Sequence, residues 1–351
     1  MPNIYIRLYY HLLVKYKAKI SVLIFGYNKE QYIEKVFNSV ITQTLNYELY
    51  EVVIITNFDV SFLPIERYKN MGLRIIYKRM DGSIDKYIKE GVTLSSGEVI
   101  CFLDDDEFHN NKLESVMQRF NDIQNLCFYS TYYKTIDSNR TIINHRSPVK
   151  IFKERKSKIH IDNYSSKNYI ESFISRGGNA YNSCISIKRE ILLQYYSFLN
   201  LINHTEDEIL FSFAFDSGNT LMLDNEKLTF MRIHNNNSSH IVRNQLSSVN
   251  NRCNIIGNEI GTFCIFVSQK MNFQCQKPKE ILLKSQRFDR IIFASLCQKQ
   301  SSTGDDIKTL LYFKDVSIKE FQISFFLFIL FLLSLINKKV AIKLFSLSRG
   351  D

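Results

Sequence analysis

Apolar and polar positions follow two alternating periods along the first two thirds of the chain. Short continuous apolar runs, such as ISVLIF, indicate central parallel strands that are buried on both faces. Between these runs, apolar residues recur at spacings of three and four, which indicates helices. The strand-like runs occupy residues 20–25, 50–56, 73–78 and 98–103. Repeated strand–helix–strand units predict an α/β domain built on an open, mainly parallel sheet flanked by helices.

The pattern loosens beyond residue 125 but still predicts further elements. The helix after the fourth strand is predicted to be capped by Asn110 or Asn111. A later helix is predicted to end at Gly218, which would serve as the C′ glycine. The remaining predicted elements are strands at 126–136 and 140–146, a strand followed by a helix within 182–195, and strands at 220–225 and 227–234.

Three polar segments are predicted to lie along one edge of the sheet. In open parallel sheets, ligands bind outside the carboxyl ends of the strands. That rule brings together residues 26–28, 56–59 and 104–106, although none of these segments is close to another in sequence. The carboxyl edge is therefore where candidate chemistry is sought.

The fourth strand runs directly into four acids, Asp104 to Glu107. Hard cations such as Mg²⁺ and Mn²⁺ prefer carboxylate oxygens, often together with phosphate oxygens of a substrate. Carboxylates held close together repel one another unless a cation offsets them or one takes up a proton. The alternative is a solvated acidic loop. The position at the end of a buried strand favours a metal site in which Asp104 and Asp106 form an Asp-x-Asp pair.

A second acidic cluster lies at the start of a predicted helix. Thr205 and Glu208 have the spacing of a capping box, and acids in a first turn suit the helix dipole. Capping alone would explain these acids. The functional alternative is that Asp207 or Glu206 acts as a general base, kept ionised by the positive end of the helix.

Three basic residues are further candidates. Arg232 and His234 share one face of a strand end, where a guanidinium can bind phosphate and an imidazole can bind a metal. The alternative for both is a solvated strand end. Lys86, on a predicted helix, could contact a phosphate or lie on the wet face of that helix.

Composition narrows the classes of partner. The net charge of +10 favours anionic partners such as a phosphorylated substrate, nucleic acid or an anionic membrane surface. No nucleic-acid-binding motif accompanies this charge, so nucleic acid is not expected as a partner. The seven cysteines show no CxxC pair and no zinc-like spacing, which indicates reduced core thiols in a cytoplasmic setting.

Both ends of the chain differ from its centre. Residues 1–18 form a basic aromatic lead, either an amphipathic membrane-facing segment or a helix packed on the domain. Residues 241–318 are polar and mixed, and are expected to be mostly helical. Residues 319–346 include the apolar run FQISFFLFILFLLSLI, which is short for a span of roughly 20 residues and fits a helix lying in the membrane interface about equally well. A buried hairpin helix is the alternative.

The segments ISVLIFGYNKEQYIEKVFNSVITQTLNYELYEVVIITN, GEVICFLDDDEF and TEDEILFSFAFDSG occur in an order that resembles a family 2 glycosyltransferase with the GT-A fold. The resemblance covers about residues 20–234, so the GT-A domain is expected at 19–240. It implies an enzyme that binds a nucleotide-diphosphate sugar at the carboxyl edge of the sheet and transfers the sugar to an acceptor hydroxyl.

The resemblance also implies roles for individual residues. The family usually has Pro where Phe25 stands and Asp where Thr56 and Asn57 stand, so base recognition is expected to differ here. Lys86 would approach the diphosphate, and Asp104 would face the ribose or sugar. The implied nucleotide-sugar-binding set is Phe25, Gly26, Tyr27, Asn28, Asn57, Lys86, Asp104, Asp105 and Arg232.

The implied mechanism is a metal-assisted inverting displacement. Asp106 and His234 would hold Mg²⁺ or Mn²⁺ against the diphosphate, Asp207 would deprotonate the acceptor hydroxyl, and Glu206 would contact the acceptor. The expected acceptor is a glycan or a lipid-linked intermediate, with the catalytic domain on the cytoplasmic side of a membrane. The competing hypothesis is a catalytically silent GT-A-like protein that binds a nucleotide sugar or acts as a membrane scaffold.

Overall fold

A computed structural model describes residues 19–143, 158–161, 181–201 and 206–234, together with single positions between 329 and 344. The predictions for residues 1–18, residues 241–318 and most of 319–346 lie outside the described residues. The strands are β1 Ile20–Gly26, β2 Tyr50–Thr56, β3 Arg74–Arg79, β4 Val99–Leu103, β5 Glu107–Phe108, β6 Leu126–Ile136, β7 Ile159–Ile161, β8 Ile185–Lys188 and β9 Thr220–Arg232. The α-helices are α1 Glu30–Ile41, α2 Ile65–Asn70, α3 Ile84–Leu94, α4 Lys112–Asp122, α5 Arg189–Gln194 and α6 Glu206–Asp216.

The strands form one mixed sheet with the order β3-β2-β1-β4-β8-β6-β9-β5, and β7 pairs with β9. The first four strands pair in parallel, and β6 also pairs with β9 in parallel. Strand β8 runs antiparallel to β4 and β6, and β9 runs antiparallel to β5 and β7. The prediction of a mainly parallel sheet is therefore right for β1 to β4 and for the β6–β9 pair, whereas β5, β7 and β8 run antiparallel to their partners.

The central strands are covered on both faces, as their continuous apolar runs predict. Successive side chains of a strand point to opposite faces. On β1, Leu23 and Phe25 pack with residues of α3, α5 and α6, whereas Val22 and Ile24 pack with residues of α1 and α4. Two hydrophobic cores thus enclose the sheet and hold the carboxyl ends of its strands in fixed positions.

Most of the predicted elements before residue 125 are confirmed. All four predicted strands form, and Asn111 does precede α4. Its side chain does not cap that helix, because Asn111 Oδ1 contacts the His109 ring at 2.6 Å instead. Gly218 has a φ of 71°, the left-handed conformation expected of a C′ glycine.

Two strand predictions after residue 125 are wrong. The runs at 220–225 and 227–234 form one continuous strand, β9, because its irregular register against β6 accommodates the polar residues between them. The run at 140–146 leaves a single bridge between Ile136 and Ile142 within its described part, 140–143. The capping residue Thr205 lies outside the described residues.

A buried carboxylate fastens the amino-terminal edge of the sheet. Glu51, near the start of β2, is fully buried and pairs with Arg74 at the start of β3. It also accepts hydrogen bonds from Ser21 Oγ at 2.5 Å, from Ser96 Oγ at 2.9 Å and from the Gly97 N–H at 3.2 Å. One carboxylate therefore links β1, β2, β3 and the segment that leads into β4.

The described thiols agree with the prediction of core cysteines. Cys101, Cys127 and Cys184 are buried and form no disulfide. The other four cysteines lie outside the described residues.

Candidate active site

The loops that follow β1, β2 and β4 begin side by side at the carboxyl edge. Gly26 is aligned with Thr56 across β1 and β2, and Ile24 is aligned with Leu103 across β1 and β4. A side chain at Gly26 would bring its Cβ within 2.9 Å of Thr56 Cγ2. Glycine therefore permits the close approach of the first two loops.

The first two loops are joined by a reciprocal pair of asparagines. Asn28 has a φ of 52°, a conformation that asparagine adopts more readily than most residues. Its N–H donates to Asn57 Oδ1 at 3.0 Å, and Asn57 Nδ2 donates to Asn28 Oδ1 at 2.7 Å. The sequence placed both residues at the edge, and the structure adds that the two amides bind each other.

The other residues predicted to contact the nucleotide occupy three different environments. Phe25 is buried and packs against Tyr87 and Phe102, so its side chain belongs to the core and not to the edge. Tyr27 is 52% exposed and offers an aromatic face beside the loops. Lys86 is exposed on α3, which fits either a ligand contact or the wet helix face.

Lys29 and His234 both contact Asp105, the second acid of the loop after β4. Its carboxylate forms short contacts with Lys29 Nζ and with His234 Nε2. Burial would raise the pKa of Asp105, but the hydrogen bond from His234 and the charge of Lys29 outweigh it and lower this pKa. The His234 ring stacks against Tyr32 with centroids 4.8 Å apart. The structure thus engages His234 with Asp105, in place of the predicted contact with a metal at Asp106.

Arg232 lies inside the domain, behind the acidic loop. It is fully buried, its guanidinium pairs with Glu107, and its Nε donates to the Asp105 carbonyl at 2.9 Å. Its backbone N–H donates to Asp106 Oδ1 at 2.7 Å. The predicted phosphate contact is therefore replaced by a supporting position, because burial and these partners keep the guanidinium away from the edge.

The two outer acids of the loop are less well compensated. Burial, followed by the charges of Glu206, Asp105 and Asp106, raises the pKa of Asp104 well above its ordinary value. Burial and the charge of Asp105 likewise raise the pKa of Asp106, despite hydrogen bonds from Ser183 and Arg232. The ionised forms of both carboxyls are thus disfavoured until positive charge approaches.

A short 3₁₀ helix, Asn182–Cys184, lies against the acidic loop and is held in place by a buried lysine. The buried Lys112 donates to the Ser183 carbonyl at 2.5 Å and to Thr229 Oγ1 at 2.7 Å. Ser183 Oγ accepts the Asp104 N–H at 3.3 Å, and Asn182 Nδ2 lies 3.5 Å from Asp104 Oδ2. This helix therefore fixes one side of Asp104.

The fourth acid comes from the first turn of α6. Burial raises the pKa of Glu206 to about 7. Glu206 acts electrostatically on Asp104, which brings the two predicted acidic clusters into one site. Asp207, the next residue, remains partly exposed. Glu206 and Asp207 are both partly exposed, and a partly exposed acid at a helix start can serve as a base towards a ligand that arrives from solvent.

The acidic loop fits a hard divalent cation by its donor chemistry. Across the described ranges, no three side chains of His, Cys, Asp or Glu are arranged to bind a metal together. Mg²⁺, however, commonly binds through one or two carboxylates plus substrate phosphates. Asp104 and Asp106 supply two such carboxylates, and their raised pKa values show that a positive charge is favoured there.

The sequence did not reveal several residues that shape this site. Lys29 lies within a segment predicted to be helical, and the sequence marks Lys112 only as the start of a predicted helix. Asn182 and Ser183 belonged to a predicted strand. No local signal identifies them, because their roles come from contacts with residues 71 to 117 positions away in the sequence. Glu107, which pairs with Arg232 at a separation of 125 residues, is visible in the sequence only as part of the acidic run.

Residues 21–186 match the family model described as Glycosyl transferase family 2. A relative from Rickettsia bellii (strain RML369-C), described as an uncharacterized glycosyltransferase, is 35% identical over 124 residues. That match covers 34% of this chain and 17% of the relative, so the chain spans less than a fifth of that protein.

The fold is shared with a solved structure of S. aureus TarS residues 1–349 in complex with UDP-GlcNAc. The complex with UDP-GlcNAc has a TM-score of 0.55 and 17% identity, and the match covers 83% of this chain and 79% of that chain. The complex with UDP has a TM-score of 0.48 and 15% identity, and the match covers 89% of this chain and 80% of that chain.

Within the residues that the structure describes, none of the helices has the length and apolar content needed to cross a bilayer.

Proposed function

Because residues 21–186 match the family model described as Glycosyl transferase family 2, we propose that the chain transfers a sugar from a nucleotide-diphosphate sugar to an acceptor hydroxyl, with inversion at the anomeric carbon. The observation that carries the proposal is the convergence of Asp104, Asp106, Glu206 and Asp207 at the carboxyl edge of the sheet. Three of these carboxyls are held where burial raises their pKa values.

The nucleotide is proposed to bind over the loops after β1 and β2. Tyr27 presents an exposed ring on which a base can stack. The Asn28–Asn57 pair holds both loops in register, and Lys86 extends from α3 as the exposed cation for the diphosphate. UDP-GlcNAc, which the TarS crystals contain, is therefore the first donor to examine.

Asp106 and Asp104 are proposed to hold Mg²⁺ or Mn²⁺. The cation, when bound, neutralises the negative charge that develops on the leaving diphosphate. The chain itself keeps the loop rigid: Arg232 holds Asp106 from behind, and Lys29 with His234 holds Asp105. The middle acid is thus a positioning residue, while the outer acids face the donor.

Asp207 is proposed as the general base. It accepts the proton of the acceptor hydroxyl as that oxygen attacks the anomeric carbon from the face opposite the diphosphate. Glu206, whose pKa is raised to about 7, keeps a proton for part of the time at neutral pH and can donate a hydrogen bond to the acceptor.

The base assignment is tested with Asp207→Asn. This change removes the proton acceptor and keeps the shape, so transfer from a radiolabelled nucleotide sugar should fall by about 100- to 10,000-fold. Donor affinity, measured by calorimetry, should stay within about twofold of the wild type. Asp122→Asn, at the exposed end of α4, is the matched control. Unchanged turnover in Asp207→Asn would remove this residue from the mechanism.

The cation is tested by removal and return. Dialysis against EDTA should abolish transfer, and Mn²⁺ or Mg²⁺ should restore it. Donor binding without transfer or donor hydrolysis under any cation would instead favour a catalytically silent nucleotide-sugar-binding protein. Full activity in EDTA would contradict the roles of Asp104 and Asp106.

The acceptor is proposed to be a glycan or lipid-linked intermediate, with the chain bound to the cytoplasmic face of a membrane. The net charge of +10 suits anionic lipid. Four apolar side chains are exposed at the described positions near the carboxyl end: Ile329, Ile336, Val340 and Leu344. Such apolar exposure fits a helix lying in the membrane interface.

Vesicle flotation tests the membrane proposal. The full chain should float with vesicles that contain anionic lipid and less well with neutral ones. Ile336→Asp, at a position that is 84% exposed, should lower the bound fraction several-fold. Asn337→Asp adds the same charge at the adjacent, already polar position and is the control. Equal binding of both variants would contradict membrane contact by Ile336.

A further inference from the structure

The side-chain oxygen of Asn182 is a buried acceptor without a hydrogen-bond donor. Asn182 is 6% exposed, and within the described part of the chain its Oδ1 has no partner. Buried acceptors are almost always satisfied in folded proteins, and leaving one unsatisfied costs about 1–3 kcal/mol. A buried orphan at the edge of the acidic site therefore points to a ligand that supplies the missing donor.

The orientation of this amide is fixed by its neighbour. Asn182 Nδ2 lies 3.5 Å from Asp104 Oδ2, where the amide N–H donates to the carboxyl oxygen. The opposite orientation would bring two oxygens together. The nitrogen therefore faces Asp104, and the oxygen is the atom left for a ligand.

The backbone around Asn182 cannot readily turn to satisfy the oxygen. The next carbonyl, of Ser183, accepts hydrogen bonds from Lys112 Nζ and from Thr229 Oγ1 at 3.1 Å. Ser183 Oγ in turn accepts the Asp104 N–H. The segment is thus held by α4, by β9 and by the acidic loop, so the orphan belongs to a rigid site.

The chemistry of the orphan selects one part of a nucleotide sugar. A diphosphate presents only acceptors to a carbonyl oxygen, so it cannot satisfy Oδ1. A sugar ring carries hydroxyl groups, and an acetamido sugar also carries an N–H. The nearby acids, Asp104 and Glu206, disfavour an anionic group but accept hydrogen bonds from hydroxyls.

We propose that Asn182 is a specificity-determining residue whose Oδ1 accepts a hydrogen bond from a hydroxyl or amide N–H of the donor sugar, while Asp104 receives its amide nitrogen. This inference rests on the proposed function, because it assumes a nucleotide sugar in the acidic site. It predicts that Asn182 distinguishes the nucleotide sugar from the nucleotide alone.

The test compares two ligands on two variants of the full chain. Affinities for UDP-GlcNAc and UDP are measured by calorimetry with Mn²⁺, using another UDP-sugar if the wild type prefers it. Asn182→Ala should lose about tenfold in affinity for the UDP-sugar, corresponding to one hydrogen bond of about 1.4 kcal/mol, and should bind UDP as the wild type does. Asn38→Ala, at an exposed asparagine of α1, is the matched control and should change neither affinity.

A deoxy-sugar series provides a second measurement that needs no variant. Wild-type protein should lose about tenfold in affinity for the one UDP-deoxy-sugar or UDP-sugar without the acetamido group that lacks the contacted donor. Asn182→Ala should bind that analogue and the parent sugar equally. The analogue for which the two effects coincide identifies the contacted group.

Each other result decides against the inference. If Asn182→Ala binds the UDP-sugar as tightly as the wild type, the hydrogen bond does not exist. An equal loss for UDP and UDP-sugar would place Asn182 at the diphosphate end and overturn the assignment. A lower melting temperature of the unliganded variant, with the ratio of the two affinities unchanged, would show a structural role. If wild-type protein binds no nucleotide sugar, the proposed function itself fails, and this outcome is seen before any variant is made.

Discussion

Buried carboxylates occur at both edges of the central sheet, but their surroundings differ. At the amino edge, Glu51 is surrounded by the donors of Ser21, Ser96 and Gly97 and by the guanidinium of Arg74. At the carboxyl edge, Asp104 and Asp106 face other acids, and burial with like charge raises their pKa values.

The difference separates a structural carboxylate from a functional one by its partners and not by its burial. A carboxylate with a complete set of donors contributes to the fold, whereas one left beside like charges opposes it. The acidic loop resembles Glu51 only at its centre, where Lys29 and His234 compensate Asp105. Asp104 and Asp106 therefore lack a fully compensating positive charge among their described neighbours, and a bound cation can supply it.

The largest effect is expected from Glu51→Ala. This change leaves the partly exposed guanidinium of Arg74 and several N–H and O–H donors without their buried acceptor, so the free energy of unfolding should fall by about 3–5 kcal/mol. Urea denaturation followed by circular dichroism measures the loss. Glu34→Ala, on the exposed side of α1, should change stability by less than about 0.5 kcal/mol. If Glu51→Ala lowers the free energy of unfolding by less than about 1 kcal/mol, Glu51 is not a structural carboxylate and does not differ from the outer acids in this respect.

A smaller loss is expected from Lys29→Met. Methionine keeps the length of the side chain but removes one of the two cations on Asp105, which should lower the free energy of unfolding by about 2 kcal/mol at pH 7. Lys69→Met breaks an exposed pair on α2 and serves as the control, with a loss of at most about 0.5 kcal/mol. Equal effects of the two substitutions would show that Asp105 does not depend on Lys29.

Asp104→Asn should have the opposite sign. Asparagine resembles the protonated acid, so it removes the repulsion from Asp105, Asp106 and Glu206 and should raise the free energy of unfolding by about 1 kcal/mol. Sugar transfer should fall at least about 100-fold, because charge stabilisation at the diphosphate is lost. Destabilisation by Asp104→Asn would mean that this acid is structural, as Glu51 is.

The smallest effect is expected in the pH dependence set by Glu206. Its pKa is raised from 4.5 to about 7 on folding, so between these values the folded chain retains a proton that the unfolded chain has lost. The stability that this group contributes is present below pH 4.5 and decreases as the pH rises to about 7. Urea denaturation across this range should show a shallower decline for Glu206→Gln than for the wild type. Parallel curves would contradict the raised pKa.

The sequence predicted the parallel half of the sheet well, because each central strand is a continuous apolar run with both faces buried. The carboxyl-edge rule then placed Asn28, Asn57 and Asp104 correctly, since it depends only on strand direction. The antiparallel half was harder, because β8 has only four residues and β9 contains a polar interruption. Strand polarity in that half depends on tertiary pairing, which local periodicity does not contain.

The acids of the site could be predicted from the sequence, but the residues that pair with them could not. Clusters of acids are visible in the sequence, whereas the pairing of Asp105 with Lys29 and His234 requires three distant segments to meet. Arg232 shows the limit clearly: the pattern left open a solvated strand end or a phosphate contact, and the family resemblance implied the latter, whereas the structure buries the guanidinium against Glu107. A charged residue near a site cannot be assigned to ligand or scaffold until its exposure is known.

The late position of β9 in the chain has a consequence for synthesis on the ribosome. The loop after β4 is made more than 120 residues before Arg232 and His234, which bind its Asp105, Asp106 and Glu107. Until those two residues emerge, the loop carries its negative charges with Lys29 and Arg140 as its cations from earlier segments. A truncated product that ends before β9 would therefore have the acidic loop without its contacts to Arg232 and His234. The site can form only after residue 234 has been synthesised.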